Sequence, residues 1–173
     1  MSSKDRPLSI QEGTSISLKH PSYKVGIVVS EYNSSITFSL RDAAIATLVS
    51  NGIKAENILV EYAPGAYELP LAAQWVSDHF EPEAVICLGC VVKGDTEHDV
   101  YINQAVADEL MKLNTRENLP FVFGLLTTNT MQQAIDRAGG VHGNKGEECA
   151  IAALKMLALH ERLIDLEEAN SKK

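Results

Sequence analysis

Four stretches of the chain combine residue types that can bind a ligand or move protons. Gly94-Asp95-Thr96 stands between an apolar run and a helical pattern, with His98 in the first helical turn. Backbone N–H groups at a helix start favour an anion such as phosphate, and a histidine there can carry protons near neutral pH. The plainer alternative is that Asp95 or Thr96 caps the helix and His98 is a surface side chain. The segment from Arg137 to Gly146, RAGGVHGNKG, places glycines between two cations, Arg137 and Lys145. Glycine permits close backbone approach and the arginine fork suits phosphate, although a simple helix–helix connector fits the same letters. Tyr32-Asn33 and Gly65-Ala66-Tyr67-Glu68 add aromatic rings, an amide and a carboxylate beside tight turns.

Some chemistries are absent from the pattern. There is no G-x-x-x-x-G-K-[ST] phosphate loop and no G-x-G-x-x-G dinucleotide fingerprint. No His/Cys/Asp spacing suggests a metal site. The formal charge of −8 argues against general nucleic-acid binding, so an anion must be met by a local pocket. The three cysteines, Cys87, Cys90 and Cys149, fit no disulfide framework. Cys87 and Cys90 form a C-x-x-C inside AVICLGCVV, a strand-like run whose residues three apart face opposite sides. They read as small packing residues, not a redox pair. No apolar run is long enough to cross a membrane and the start shows no secretory pattern, from which a cytoplasmic protein is expected.

The elements that must position these residues alternate in type. Strands are expected at 25–30, 57–62, 84–92 and 121–128. Helices are expected from Ile36 to Ser50, from about Ala66 to Asp78, from near Glu97 to Arg116, and from a cap at Asn129 or Thr130 to Arg137. A final helix should place Ile151, Leu154 and Ala158 on its inner face before a charged tail frays. This alternation gives one α/β domain over 21–162, a three-layer sandwich with a flavodoxin-like parallel sheet and helices on both faces. Residues 1–20 are expected to be a flexible segment and 163–173 a charged tail. Ligands in such folds bind beyond the carboxyl ends of the strands. Those ends carry Tyr32, Glu68, His98 and the Gly-rich turns.

Taken together these blocks resemble the lumazine synthases over roughly Val25 to Ala158. The match runs through Tyr32-Asn33; Pro64-Gly65-Ala66-Tyr67-Glu68; Gly89-Cys90-Val91-Val92-Lys93-Gly94-Asp95-Thr96-Glu97-His98; and Gly124 to Thr128 with Gln133, Arg137 to Gly140 and Gly143-Asn144-Lys145-Gly146. The resemblance implies an enzyme of riboflavin biosynthesis that needs no cofactor. It would join 5-amino-6-(D-ribitylamino)uracil to 3,4-dihydroxy-2-butanone 4-phosphate, releasing phosphate and water. By the same resemblance Tyr32 stacks on the pyrimidine, with Asn33 and Cys90 beside it. Gly65, Ala66, Tyr67 and Glu68 hold the ribityl chain, and main-chain groups at Val91 and Val92 read the uracil edge. Gly94, Asp95, Thr96 and Arg137 clamp the phosphate, while His98 shuttles protons. Phe123, Arg137 and Lys145 would come from an adjacent chain, which implies a homo-oligomer built of pentamers. The loop from Arg137 to Gly146 lacks the insertion of some free pentamers, pointing to a sixty-subunit icosahedral shell.

The sequence departs from the family pattern at Glu31, at Lys93 in place of a frequent arginine, and at Asp99-Val100-Tyr101 after the histidine. Two other readings share the fold. One is a flavodoxin-like flavin or nucleotide carrier; the other is a shell protein without turnover. The second anion site at Arg137 and the polyol-suited turn disfavour the first. The presence of Glu68, His98 and Arg137 disfavours the second.

Overall fold

The structure is a computed structural model, and it describes residue 16 and residues 18–20 and 22–172. Four strands form one parallel sheet: β1 (Val25–Ser30), β2 (Ile58–Ala63), β3 (Ala84–Val92) and β4 (Phe121–Thr128), in the order β2-β1-β3-β4. Their residues are mostly β-branched or apolar and are buried in β1 and along most of β3, as expected of a sheet covered on both faces. The helices are α1 (Ser34–Ser50), α2 (Leu69–Phe80), α3 (His98–Glu117), α4 (Met131–Asp136) and α5 (Lys145–Ser171).

Side-chain alternation along the strands divides the core in two. Ile27, Ile86, Leu88 and Cys90 pack with Leu40 and Leu48 of α1 and Ala150 and Leu154 of α5. Val28, Val85 and Cys87 pack with Leu69 and Ala73 of α2 and Val106 and Leu110 of α3. This is the three-layer α/β sandwich. Cys87 and Cys90 fall on opposite faces and are free and buried. Burial pushes the Cys87 thiol up and the Cys90 thiol to about 11, so neither offers the thiolate that redox exchange needs.

The differences from the expected elements have local causes. The turn at Ala66 to Glu68 delays α2 until Leu69, and Pro70 falls in its first turn, where the missing N–H costs nothing. The segment after α4 is not a plain loop. Ala138–Gly140 (β5) and Gly143–Asn144 (β6) pair as a small antiparallel hairpin. Gly139 and Gly143 there have φ of 109° and 78°, a region that side chains resist. In α5 the buried stripe is Cys149, Ala150, Ala153, Leu154 and Leu157, whereas Ile151 and Ala158 are only half-buried.

The charged end does not fray in the structure, since α5 continues to Ser171. It is braced by the chain before β1. The Lys19 backbone N–H and the Tyr23 hydroxyl both donate to Glu161 Oε1, at 2.9 and 3.0 Å, and Lys19 pairs with Asp165. Ile16 and Leu18 also pack on the core. The rest of the segment expected to be flexible at 1–20 lies outside the described residues.

Candidate functional site

The sheet itself creates the first part of the site. β1 pairs with β3 only as far as Val29 opposite Leu88, so Gly89 to Val92 of β3 overhang their neighbour. The other edge of this overhang remains paired to β4 through Val92 and Thr128, and Lys93 N–H donates to the Thr128 carbonyl at 2.8 Å. Main-chain groups alternate in direction along a strand. Those of Cys90 and Val92 therefore face the open side, and those of Val91 face β4. Asn33 takes up the Cys90 carbonyl with its side-chain amide at 2.9 Å. Asn33 adopts the left-handed conformation, φ 58°, as it turns the chain from β1 into α1. Its amide thus braces the wall of the site from behind.

A cavity of about 450 Å³ opens beside this overhang. Its walls include Cys90, Val91 and Val92 from β3, and Tyr32 from the turn after β1. The turn before α2 contributes Gly65, Ala66, Tyr67 and Glu68. Gly94, Thr96 and His98 approach from the loop into α3. Tyr32 and Tyr67 are 72% and 64% exposed, which leaves both rings open to a ligand. Gly65 has a specific purpose here: a Cβ would lie 2.9 Å from Glu68 Oε2, so its absence lets the carboxylate fold back over the turn. The cap reading of Asp95 and Thr96 does not hold. Glu97 is the N-cap residue of α3, and no side chain caps that helix. The N–H groups of the first turn of α3 consequently stay without a side-chain partner beside the cavity.

Two further walls are Asp99, noted in the sequence only as a departure beside His98, and Ile102, which was not singled out there. Ile102 follows His98 by one helical turn, a spacing that could have revealed it. Buried polar atoms without a partner among the described residues gather at this end of the sheet. They include Ser30 Oγ at the end of β1, Thr128 Oγ1 at the end of β4, and Asp99 Oδ1 and Asn103 Oδ1 on α3. A buried polar group left unpaired calls for a partner, and a ligand or ordered water beside the cavity would supply one.

Phe123, Arg137 and Lys145 do not line this cavity, nor do Asn33 and Asp95. The first three lie about the start of α5. Arg137 donates from Nη2 to Glu148 Oε2 at 3.0 Å and from Nη1 to the His142 carbonyl at 3.0 Å. Lys145 Nζ donates to the same Glu148 oxygen at 3.2 Å. Phe123, 40% exposed on the edge strand β4, has its carbonyl 3.9 Å from the Cys149 thiol. Glu148 was missed in the sequence, although its place three residues after Lys145 puts both on one helix face. Two cations sharing one carboxylate leave a local positive charge suited to an anion.

Another cavity, about 470 Å³, lies along the edge strand β2 and α2, among Tyr62, Leu71 and Trp75. Of the site residues expected from the sequence it shares only Glu68. Among the described residues there is no cluster of three or more His, Cys, Asp or Glu side chains able to hold a metal, and no helix long and apolar enough to cross a membrane.

A doubly wound sandwich with a cavity at a strand overhang, a glycine-bearing loop into a helix start and an accessible histidine has the form of a small α/β enzyme acting on small molecules. Residues 22–161 match the 6,7-dimethyl-8-ribityllumazine synthase family, and the chain belongs to that family. A 6,7-dimethyl-8-ribityllumazine synthase of Bacteroides fragilis is 50% identical over 134 residues, covering 78% of this chain and 94% of that protein. The enzyme of the same name from Cytophaga hutchinsonii is 48% identical over 158 residues, 91% of this chain and 98% of its own. That of Rhodopirellula baltica is 45% identical over 143 residues, 83% and 92%.

Proposed function

We propose that this chain is the enzyme that condenses 5-amino-6-(D-ribitylamino)uracil with 3,4-dihydroxy-2-butanone 4-phosphate to give 6,7-dimethyl-8-ribityllumazine. The observation that carries the reading is the cavity at the β3 overhang. It gathers an open aromatic ring, a free main-chain edge, a folded-back carboxylate and a histidine.

In this reading Tyr32 stacks on the pyrimidine and the main-chain groups of Val92 read its edge. Glu68 accepts hydrogen bonds from the ribityl hydroxyls. The N–H groups around Gly94 to Thr96 take the phosphate at the start of α3. The amine of the uracil attacks the ketone to form a carbinolamine, which loses water to give an imine. Proton loss and departure of phosphate follow; the second amine then closes the ring and a final water leaves. Several of these steps move a proton at one locus, which suits His98, exposed at the rim. Holding two substrates together supplies much of the remaining acceleration.

Arg137, Lys145 and Phe123 stand outside that cavity within one chain. In the proposed assembly, a homo-oligomer of pentamers that can close into a sixty-subunit shell, these residues complete the cavity of a neighbouring copy. Arg137 then stabilises the departing phosphate. The test is to mix the purified protein with both substrates and follow product fluorescence. Growth well above the uncatalysed background is expected. A folded, oligomeric protein that gives no acceleration would return the chain to the flavin-carrier or shell readings.

A further inference from the structure

The last turns of α5 carry a second pattern that the reaction does not use. Met156, Leu159, Leu163, Leu166 and Asn170 follow one another at spacings of 3, 4, 3 and 4. That is the a/d repeat of a helix seam, with Met156, Leu163 and Asn170 at a and Leu159 and Leu166 at d. The four apolar members are between 39% and 60% exposed, unusual for large aliphatic side chains in consecutive turns. The seam is distinct from the stripe that holds α5 to the sheet, Ala153, Leu154 and Leu157. At about 100° per residue the two lie roughly two-fifths of a turn apart on the helix. The brace from Lys19 and Tyr23 grips Glu161 and Asp165, on the side turned away from the seam. Much of this stretch lies beyond the family match, which ends at residue 161.

We infer that this seam docks onto the same seam of a second copy of the chain, the two helices running parallel and in register. Charge placement identifies the occupant. With these a and d positions, Arg162 falls at g and Glu167 at the following e. In a parallel pair each Arg162 faces the other copy's Glu167, giving two opposite-charge contacts by symmetry. Among the described residues neither side chain makes an ion pair within its own chain. Asn170 at an a position points the same way, since a single polar a residue meeting its own counterpart fixes parallel register. The first half of the seam also walls a groove of about 400 Å³ with Pro82, Leu119 and Pro120, giving the incoming helix a second contact.

Two heptads are short for an isolated coiled coil. Here the helix is already formed and anchored in the core, so docking does not bear the cost of nucleation. Several seams displayed on one assembly also raise the effective concentration of partners. The docking is separate from the proposed chemistry, and the two are tested apart.

The experiment is sedimentation velocity of the full chain over a dilution series, with turnover and circular dichroism recorded for every variant. Leu163→Glu with Leu166→Glu should weaken this self-association roughly a hundredfold while leaving fold and turnover intact. Arg162→Glu alone and Glu167→Arg alone should each weaken it, and the two together should restore it. Asn170→Cys should form a disulfide-linked dimer in air, the native cysteines being buried. Unchanged sedimentation of the double glutamate variant, failure of the charge swap to restore pairing, or no Asn170→Cys dimer would each overturn the seam.

Discussion

In the cavity beside β3, polar groups are main chain or lone side chains and await a partner. About the start of α5, the charges have already met one another. The overhang leaves the β1-facing main-chain edge of Val92 unpaired by the sheet, whereas Arg137 and Lys145 both rest on one oxygen of Glu148. The difference shows two ways of preparing a site. Main-chain groups are fixed by the sheet and need no further support to hold direction. Long cationic side chains lose rotamer freedom when they bind, so a neighbouring carboxylate that holds them beforehand reduces that cost. Glu148 is also nearly buried, and its other oxygen has no partner among the described residues. In the proposed site its contact with both cations through one oxygen fits a positioning role.

The two regions should break differently. The largest effect is expected at Gly146, where a Cβ would fall 1.8 Å from the Leu40 carbonyl oxygen of α1. Backbone cannot yield there, so Gly146→Ala should push α5 off α1 and destabilise the chain by about 3 kcal/mol or more. The denaturant midpoint checks this; an unchanged midpoint would mean that α5 is less tightly seated than the structure has it. Next come the reactive side chains. His98→Ala should lower kcat on the order of a hundredfold and leave product affinity nearly intact. Equal loss of both would contradict a proton shuttle. Arg137→Ala should raise KM for the butanone phosphate about tenfold or more, with little change for the uracil. Equal effects on both substrates would argue against a phosphate clamp. Because the two residues serve one site from different copies in the proposed assembly, mixing the two variants after dissociation should recover part of the activity. No recovery, with mixed oligomers demonstrated, would place both residues in the site of a single copy.

The strands and most helices were legible in the sequence because their signals are local: β-branched runs, helical spacing, a Pro or Asn-Gly break. The cavity residues were legible for a related reason. Tyr32, Glu68 and His98 each follow a strand end, and strand ends in a parallel sheet converge on one edge. What stayed hidden depended on distance in sequence. Asn33 reads as a ligand residue, yet its amide is used across the sheet on Cys90. The persistence of α5 to Ser171 depends on Lys19 and Tyr23, more than a hundred residues away. Tyr23 bears the mark of that contact: desolvation, then its hydrogen bond to Glu161, raises its pKa to about 12. On α5 Leu154 lies on the inner face as expected, whereas Ile151 and Ala158 do not, because small residues run through the middle of the helix and Ala and Ile spacing alone fits more than one stripe.

The smallest effect should come from Gly65, and it sharpens the contrast with Gly146. A Cβ at Gly65 meets only the far end of the Glu68 side chain, at 2.9 Å. A flexible carboxylate can swing aside, so Gly65→Ala should leave the melting temperature nearly unchanged. The swing should still be felt by a ligand. If Glu68 accepts hydrogen bonds from the ribityl hydroxyls, displacing it should raise KM for the ribitylaminouracil by about three- to tenfold, the weakening of a charge-assisted bond short of its full loss. KM for the butanone phosphate should stay where it was. A fall in melting temperature would make Gly65 a structural glycine like Gly146. An unaltered KM in a folded variant would remove Glu68 from the polyol and leave Tyr67, on the same turn, as the group to test in its place.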